Sequence, residues 1–544
     1  MRPKRKREVE LYNNFYLRGS LTDQQIKYID KLLQMDKVYK LKDIIPRSAE
    51  VFKRDCDDIV LLDKQTIAVG LSFLNPYSFI GDKPGLGKTI MSAASYAQYR
   101  LKHMENGGKL MNMSKLLVVT DNNHTLGMER EYRQCGINLI PLYGGSAKIA
   151  KDLKNFNLLD PTVDGIVTSW DSLKVNSFLE FYMEYAWALR YGIWDETSTL
   201  KSTSTKLYPV ADKMAASMDN GVFLNASPFE TSIMDMWNQF AILNPTIIPT
   251  KKFVYDRYTV MGQDSWFVTE YVNTGGVYTP QRVRKTAYRL SDYKNQEELR
   301  QKLKYHYIAR TKADYSDNLP DKIYRLCPVT MTGKMNKELG DSHHNYREIL
   351  NSPATLNKAN KITTTTVPKL AELVDLVQAI YAERPVIYVY NTEAQKAIST
   401  ELKKLNLRVA IISGQLDGEY EETNSEDKFT VSEKDRLQIL DDFKDGYYDV
   451  LVTNIKKAVS IYGSNAMVFY DIPTNPQITY QVMGRIDRNN YKDDKSYYFM
   501  VYMNSPEMQN IAELACFREE HSSKFTGQYE DVYKQLIKQI ENYL

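Results

Sequence analysis

The chain has 544 residues, 43% of them hydrophobic and 26% charged, with a formal net charge of +3. That length predicts roughly two to four domains, and the composition is that of a globular protein, not a disordered one. So small a net charge excludes a diffusely basic surface and confines any nucleic-acid contact to a local patch. No apolar stretch reaches the length of a membrane span, and the N-terminus lacks the apolar core of a signal peptide. A cytoplasmic protein that meets no membrane is therefore expected. Cys56, Cys135, Cys327 and Cys516 stand far apart with no C-x-x-C pair, which fits a reducing compartment and gives no support for a zinc site. His343 and His344 read as solvated loop. The 40 tyrosines, with abundant Lys, Asn and Ile, fit an AT-rich coding genome such as that of a phage or other virus, whose cytoplasm would be the host's.

Residues 1–57 read as a polar, helical N-terminal region. Its basic Met1–Arg7 run fits a nuclear-import or phosphate-binding arm and equally a solvated tail. Leu21-Thr22-Asp23-Gln24-Gln25 has the form of a capped helix start before Ile26, Ile29, Leu32 and Leu33. A helix over Leu61–Val69 follows, carrying Gln65. An amide there can donate to and accept from an adenine edge at once; a solvated Gln is the alternative.

The apolar stretch from Val69 to Ile80 supplies a helix and a short strand. The strand runs into Asp82-Lys83-Pro84-Gly85-Leu86-Gly87-Lys88-Thr89 and then the helix former Ile90-Met91-Ser92-Ala93-Ala94. Such a loop turns successive N–H groups inward as an anion nest at a helix N-terminus. Gly85 and Gly87, on either side of Leu86, let the backbone close on phosphates without a Cβ in the way. Lys88 reaches the β- and γ-phosphates, and the Thr89 hydroxyl binds Mg2+. Asp82 stands where the general G-x-x-x-x-G-K-[ST] pattern has its first Gly.

Strand-like runs then alternate with helical stretches to about residue 250: Leu116–Thr120, Gly165–Ser169, Tyr191–Trp194 and Val222–Asn225. They are apolar and β-branched, as buried parallel strands are, and predict a doubly wound lobe over 58–250. Its functional groups belong at the carboxyl ends of the strands. There, one carboxylate of Asp195-Glu196 can hold Mg2+ while its neighbour orients or deprotonates the attacking water. Asn225-Ala226-Ser227-Pro228, at the next strand end, can sense the γ-phosphate.

Residues 251–368 read as an insertion and a connection. The first part is a hairpin, with Asn273-Thr274-Gly275-Gly276 as its turn and Gln281-Arg282-Val283-Arg284-Lys285 as a basic strand; its aromatics and cations suit base stacking or ordinary packing. Then come a helix through Leu299, Leu303 and Tyr307 and a linker at Thr363–Pro368. A second α/β lobe over 369–504 has strands at Val386–Tyr390, Val409–Ile412, Asp449–Thr453 and Ala466–Asp471. Its helix from Gln481 to Arg488 sets Gln481, Arg485 and Arg488 on one face, from which two arginines can reach a γ-phosphate across a cleft. Residues 505–544 read as a helical tail.

With these residues assembled, the chain resembles a superfamily 2 helicase of the Swi/Snf type, a double-stranded DNA translocase. Asp82–Thr89 is similar to that family's D-E-M-G-L-G-K-T, and Gln65 matches its upstream adenine-reading Gln. Asp195-Glu196-Thr197-Ser198 stands at its D-E-A-H, and Asn225-Ala226-Ser227-Pro228 at its T-G-T-P. Asp235-Met236-Trp237-Asn238-Gln239-Phe240 through Pro245 resembles E-L-W-S-L-L-x-F-L-x-P. Ala309-Arg310-Thr311-Lys312-Ala313-Asp314 with Leu319-Pro320 resembles R-R-x-K-x-D…L-P, and Gln481–Arg488 matches Q-x-x-G-R-x-x-R.

The resemblance implies two tandem RecA-like lobes with ATP and Mg2+ between them. Gln65, Asp82, Gly85, Leu86, Gly87, Lys88, Thr89 and Gln481 would hold the nucleotide, and Thr89 and Asp195 the metal. Lys88, Asp195, Glu196, Arg485 and Arg488 would carry the chemistry. Duplex, forked or branched DNA would cross the opposite face, contacted through the backbone at Thr120-Asp121, Ser169, Ser413-Gly414 and Thr453. A monomer is expected. Two departures stand out. Thr197-Ser198 replaces A-H, so coupling between the acidic pair and the next strand's loop would use hydroxyls. Thr453-Asn454-Ile455-Lys456-Lys457-Ala458-Val459-Ser460-Ile461 also lacks the glycines of the family's T-x-x-G-G-x-G-x-N-L turn. An RNA helicase, or a nucleotide-gated regulator without motor activity, are the alternatives.

Overall fold

The computed structural model describes residues 60–105, 115–274, 277–303, 306–314, 321–330, 367–413, 433–454, 461–487, 494–520 and 531–543, apart from a few positions within those ranges, and the short strands at 39–40 and 417–418. The N-terminal helix expected from Leu21, the linker at Thr363–Thr366, Lys312, Leu319-Pro320 and His343-His344 lie outside the described residues. Two residues of β1 (Tyr39–Lys40) pair antiparallel with β2 (Val60–Leu61) ahead of two seven-stranded sheets.

The first sheet contains β3 (Tyr77–Ile80), β4 (Lys115–Thr120), β5 (Leu139–Leu142), β6 (Gly165–Ser169), β7 (Leu189–Asp195), β8 (Asn220–Leu224) and β11 (Tyr307–Ile308). Their order is β11-β3-β8-β7-β4-β6-β5, and all neighbours are parallel. Successive residues of β4 feed opposite faces, as the two-residue strand period requires. Leu116 and Val118 pack with Ala68, Met91 and Tyr132 from helices α1 (Asp63–Leu74), α2 (Lys88–Glu105) and α3 (Thr125–Gln134). Leu117 and Val119 pack on the other side, where α4 (Ser146–Lys154), α5 (Asn176–Tyr185), α6 (Leu207–Ser217), α7 (Ile233–Leu243), α8 (Lys251–Tyr258) and α9 (Gln296–Leu303) supply Ile149, Phe178, Met214, Phe240, Val254 and Leu299.

Between α8 and α9 runs the expected hairpin, β9 (Thr259–Thr274) against β10 (Val277–Tyr293), 16 and 17 residues long, with its register shifting between Leu290 and Asp292. The helix expected to run through Tyr307 stops at Leu303. Tyr307 instead starts β11, its ring edge-on to Phe79 at 5.4 Å and to Phe240 at 6.0 Å. Tertiary packing here overrides a helical spacing of apolar residues.

The second sheet contains β12 (Lys322–Val329), β13 (Val386–Tyr388), β14 (Val409–Ile412), β15 (Asp417–Gly418), β16 (Val450–Thr453), β17 (Ala466–Phe469) and β18 (Lys495–Tyr502). Its order is β12-β18-β17-β13-β16-β14-β15, parallel except for the edge strand β15. On one face, α10 (Val367–Ile380) and α11 (Thr392–Lys403) bury Leu373, Val377, Ile398 and Leu402. On the other, α12 (Glu433–Lys444), α13 (Pro476–Met483) and α14 (Val532–Tyr543) bury Phe443, Tyr480, Leu536 and Ile540. The architecture is two RecA-like doubly wound lobes in tandem. The segment expected as insertion and connection nevertheless contributes a strand to each sheet, β11 to the first and β12 to the second. No helix among the described residues is long and apolar enough to cross a membrane.

β11 closes the first lobe around a buried ion pair. Gly81 N donates to Ile308 O at 2.6 Å and Lys83 N to Arg310 O at 2.9 Å. The Arg310 Nε and backbone N both donate to Asp82 Oδ1 at 3.0 Å, and Nη1 reaches the Lys64 carbonyl. Asp82 has no solvent exposure. Removing one partner of such a pair strands a buried charge. Arg310→Ala is therefore expected to cost about 3–5 kcal/mol, read as a lowered denaturant midpoint; a midpoint within error of the parent would contradict this role.

The C-terminal helix is no appendage. Its Tyr533 hydroxyl donates to Pro473 O at 2.8 Å and lies 2.6 Å from the Thr479 hydroxyl, while Gln539 exchanges hydrogen bonds with the β12 backbone at Leu326 and Tyr324. Buried Glu519 accepts from the Tyr480 hydroxyl, from Tyr533 N at 3.3 Å and from Lys534 N at 3.4 Å. Burial pushes its carboxyl up to about 7 from 4.5, although those donors hold it down. A raised folded-state pKa contributes stability that is complete below about 4.5 and lost as pH rises through about 7. Glu519→Gln should flatten that part of the stability–pH curve; an unchanged slope across the window would rule the assignment out.

Candidate nucleotide site between the lobes

The phosphate loop leaves the carboxyl end of β3, as the apolar run before it predicts. Gly85 and Gly87 have φ of 84° and 81°, the left-handed region that a Cβ disfavours. A Cβ on Gly87 would also meet Gln65 Nε2 at 2.4 Å. Gln65 lies against this loop and donates to the Leu86 carbonyl at 3.0 Å. Helix α2 starts at Lys88, so its free N–H groups and partial positive charge face the loop. Lys88 Nζ donates to the Asp82 carbonyl at 2.7 Å and the Lys83 carbonyl at 3.4 Å. Burial lowers its pKa, Arg485 adds to that, and Glu196, Asp82 and Asp195 oppose it. All four charged groups thus lie within electrostatic reach of one ammonium. Thr89 follows in the first helical turn, half-buried.

The acidic pair ends β7, two strands from β3 with β8 between. Asp195 Oδ2 accepts from the Thr120 hydroxyl at 2.8 Å, and its backbone carbonyl accepts from Trp170 Nε1 at 2.9 Å. His124 Nδ1 lies 3.8 Å from the same Oδ2, and its Nε2 3.8 Å from Glu131 Oε1. Burial opposes a charged imidazole, but the two carboxylates outweigh it and push His124 up to about 10. Burial likewise raises Asp195, and His124, Thr120 and Lys88 more than offset it, leaving the carboxyl below its ordinary range. Glu196 is left-handed, with φ 51° and ψ 50°. That conformation is costly for a residue with a Cβ and tends to persist at functional sites.

The second lobe meets this loop through α13, capped at Asn475, whose side chain accepts from Gln477 N at 3.1 Å. Lys83 Nζ sits 4.6 Å over the Tyr480 ring. Beyond the helix, a Cβ on Gly484 would stand 2.6 Å from Pro84 Cβ, so only Gly fits against the phosphate loop. Arg485 is buried and donates from Nε to the Gln481 carbonyl at 2.9 Å; Gln481 is buried too. Arg488, Ser227, Lys456 and Lys457 lie outside the described residues. Thr120, Ser169, Ser413 and Thr453 stand at or just past the carboxyl ends of β4, β6, β14 and β16, but their side chains are buried. The Thr120 hydroxyl is committed to Asp195, and Ser169 Oγ lies 2.8 Å from Ser172 Oγ.

Four further residues shape the site. Arg310 sits in a segment whose resemblance was legible, but its partner Asp82 is 228 residues away. Gln239 lies in the Asp235–Phe240 run but departs from its pattern, and His124 and Tyr480 carry no motif of their own; each matters because of what the fold sets beside it. No cluster of three or more His, Cys, Asp or Glu side chains suited to a metal occurs among the described residues. The donors at hand are the Thr89 hydroxyl and the Asp195 carboxylate, hard oxygen ligands of the kind Mg2+ prefers.

The family model described as helicase conserved C-terminal domain matches residues 368–490, and that described as SNF2-related domain matches 71–364. The TATA-binding protein-associated factor MOT1 of Saccharomyces cerevisiae is 26% identical over 196 residues, 35% of this chain and 10% of that protein. The chromatin structure-remodeling complex subunit snf21 of Schizosaccharomyces pombe is 23% identical over 267 residues, 47% of this chain and 19% of that one. The chain thus spans a small part of these relatives' length. Among solved structures, the Sulfolobus solfataricus SWI2/SNF2 ATPase core in complex with dsDNA aligns over 88% of this chain and 95% of its own, at 15% identity and a TM-score of 0.36. With more than half of its residues matched by one family model, the chain belongs to the SNF2-related family.

Proposed function

We propose that the chain is an ATP-dependent DNA translocase or helicase, hydrolysing ATP between its two lobes to move along DNA. The observation that carries this reading is the meeting of three groups at one cleft: the phosphate loop, the acidic end of β7 and the Arg485 turn, with Lys88 in the field of all three. Lys88, now spanning loop carbonyls, would transfer its hydrogen bonds to the β- and γ-phosphates, and the N–H groups at the start of α2 would hold their oxygens. Gln65, held at Leu86, is the residue assigned to the adenine edge. Mg2+, held by Thr89 and Asp195, would neutralise phosphate charge. Glu196 would orient and deprotonate the attacking water, and Arg485, with Arg488, would stabilise charge at the γ-phosphate once the lobes close. Gly484 against Pro84 lets them close that far. Gln481, buried on α13, would complete the nucleotide side of the cleft.

DNA is favoured over RNA because the relatives by name include a chromatin-remodeling complex subunit and TATA-binding protein-associated factors. Duplex, forked or branched DNA would cross both lobes on the face opposite the ATP, so that opening and closing the cleft steps the protein along one strand. The protein would act as a monomer in the cytoplasm, a host cell's if the gene is of phage or viral origin.

Steady-state ATP hydrolysis without nucleic acid and with single-stranded, duplex and forked DNA or RNA tests the reading. Duplex or forked DNA should stimulate turnover most; stimulation by RNA alone, or by none, would replace it with an RNA helicase or a nucleotide-gated regulator. Lys88→Ala should abolish turnover while DNA binding persists. Arg485→Ala should lower kcat by roughly 10^3 with little change in nucleotide affinity; a kcat near that of the parent would remove Arg485 from the chemistry.

A further inference from the structure

Two departures from the family pattern lie 42 residues apart in sequence and touch in space. Thr197 stands where D-E-A-H has Ala, and Gln239 stands where E-L-W-S-L-L has Leu. The Thr197 hydroxyl donates to Gln239 Oε1 at 2.6 Å. The same oxygen accepts from Asn225 Nδ2 at 3.0 Å, and Gln239 Nε2 donates to the carbonyls of Pro228 and Asp235, each at 2.9 Å. Thr197, Asn225 and Gln239 are 0%, 1% and 1% exposed, so water does not substitute for any of these bonds.

A side-chain amide offers two acceptor and two donor positions, and here all four are used. Rotating the amide by half a turn would set N–H groups against the Asn225 donor and a carbonyl oxygen against two others, so Gln239 has one orientation. Either replacement alone would bury a polar group without this partner, whereas together they satisfy each other. We propose that Gln239 is a positioning residue that couples the acidic end of β7 to the loop after β8. Through it, a shift of Asp195-Glu196-Thr197 displaces Asn225 and Pro228, and conversely. The inference rests on the nucleotide-site reading above and deepens it: the expected hydroxyl coupling runs through a helix side chain.

The test compares kcat and KM for MgATP, with and without duplex DNA, in the full chain and in T197V, T197S, Q239L and the T197V/Q239L double variant. Valine keeps the bulk of Thr197 and loses its hydroxyl, while serine does the reverse. A relay predicts that T197V loses about tenfold in kcat at unchanged KM, that T197S stays ahead of it, and that Q239L resembles T197V. The double variant should be no worse than the poorer single, since both ends of one interaction are gone. A packing role predicts the opposite order, T197V ahead of T197S; that order, or a double variant equal to the product of the singles, overturns the proposal. A parent whose ATP turnover ignores DNA refutes the motor reading while the rank order still decides the relay. A parent with no turnover overturns both.

Discussion

Asp82 is a carboxylate with no exposure to solvent, set at the root of a loop built to hold a polyanion, and it is tolerable there only because Arg310 lies against it. Neither charge is stable in that place alone. Arg310 arrives only after the chain has left the first sheet, run out and back along β9 and β10, and returned as β11 beside β3. The loop's backbone is fixed from the same side, by Gly81 to Ile308 and Lys83 to Arg310. The shape of the phosphate loop thus depends on a segment more than two hundred residues downstream, and the first lobe is incomplete without it.

From that anchored loop the cleft is built by contact across the lobes. The two loop positions where the chain departs from D-E-M, Lys83 and Pro84, are those that touch the second lobe, Lys83 over Tyr480 and Pro84 beside Gly484. Tyr480 in turn donates to Glu519, whose carboxylate receives the first N–H groups of the C-terminal helix. A run of contacts therefore leads from the phosphate loop to the end of the chain. What looks like a tail in sequence belongs to the core that places Arg485.

Charge in the cleft is balanced before any ligand arrives. His124 lies 3.8 Å from both Asp195 and Glu131, which favour its charged form, and Lys88 lies in the field of Glu196, Asp82 and Asp195, with Arg485 near. Burial opposes the charge on Lys88, His124 and Asp195, and neighbouring opposite charges favour it. Charges fixed in this way are pre-oriented, the condition under which electrostatic stabilisation is strongest.

The loop, the acidic pair, Gln481 and Arg485 were singled out in sequence because phosphate-binding loops and the ends of buried parallel strands need particular residue types at fixed local offsets. The helix expected over Gln481–Arg488, however, ends at Met483 and leaves Arg485 on the turn beyond it. β6 and β14 were read to the residue and β4, β7, β8, β13, β16 and β17 within two, since strands buried on both faces are unbroken apolar runs, whereas β5 and β18 were not read. The fold alone decided what depends on distance in space. Tyr307 left its helical spacing for the Phe79 and Phe240 rings, β11 and β12 were drawn into the two sheets, and the C-terminal helix entered the second core. His124 and Tyr480 have no local signature, and the motifs that hold Arg310 and Gln239 do not name their partners, because an ion pair, an imidazole beside a carboxylate or a shared amide exists only once both partners are in place. By itself the sequence determined which residue types stand at which strand ends; tertiary structure decided which distant side chains hold them still, since burial and pairing are properties of neighbours and not of order along the chain.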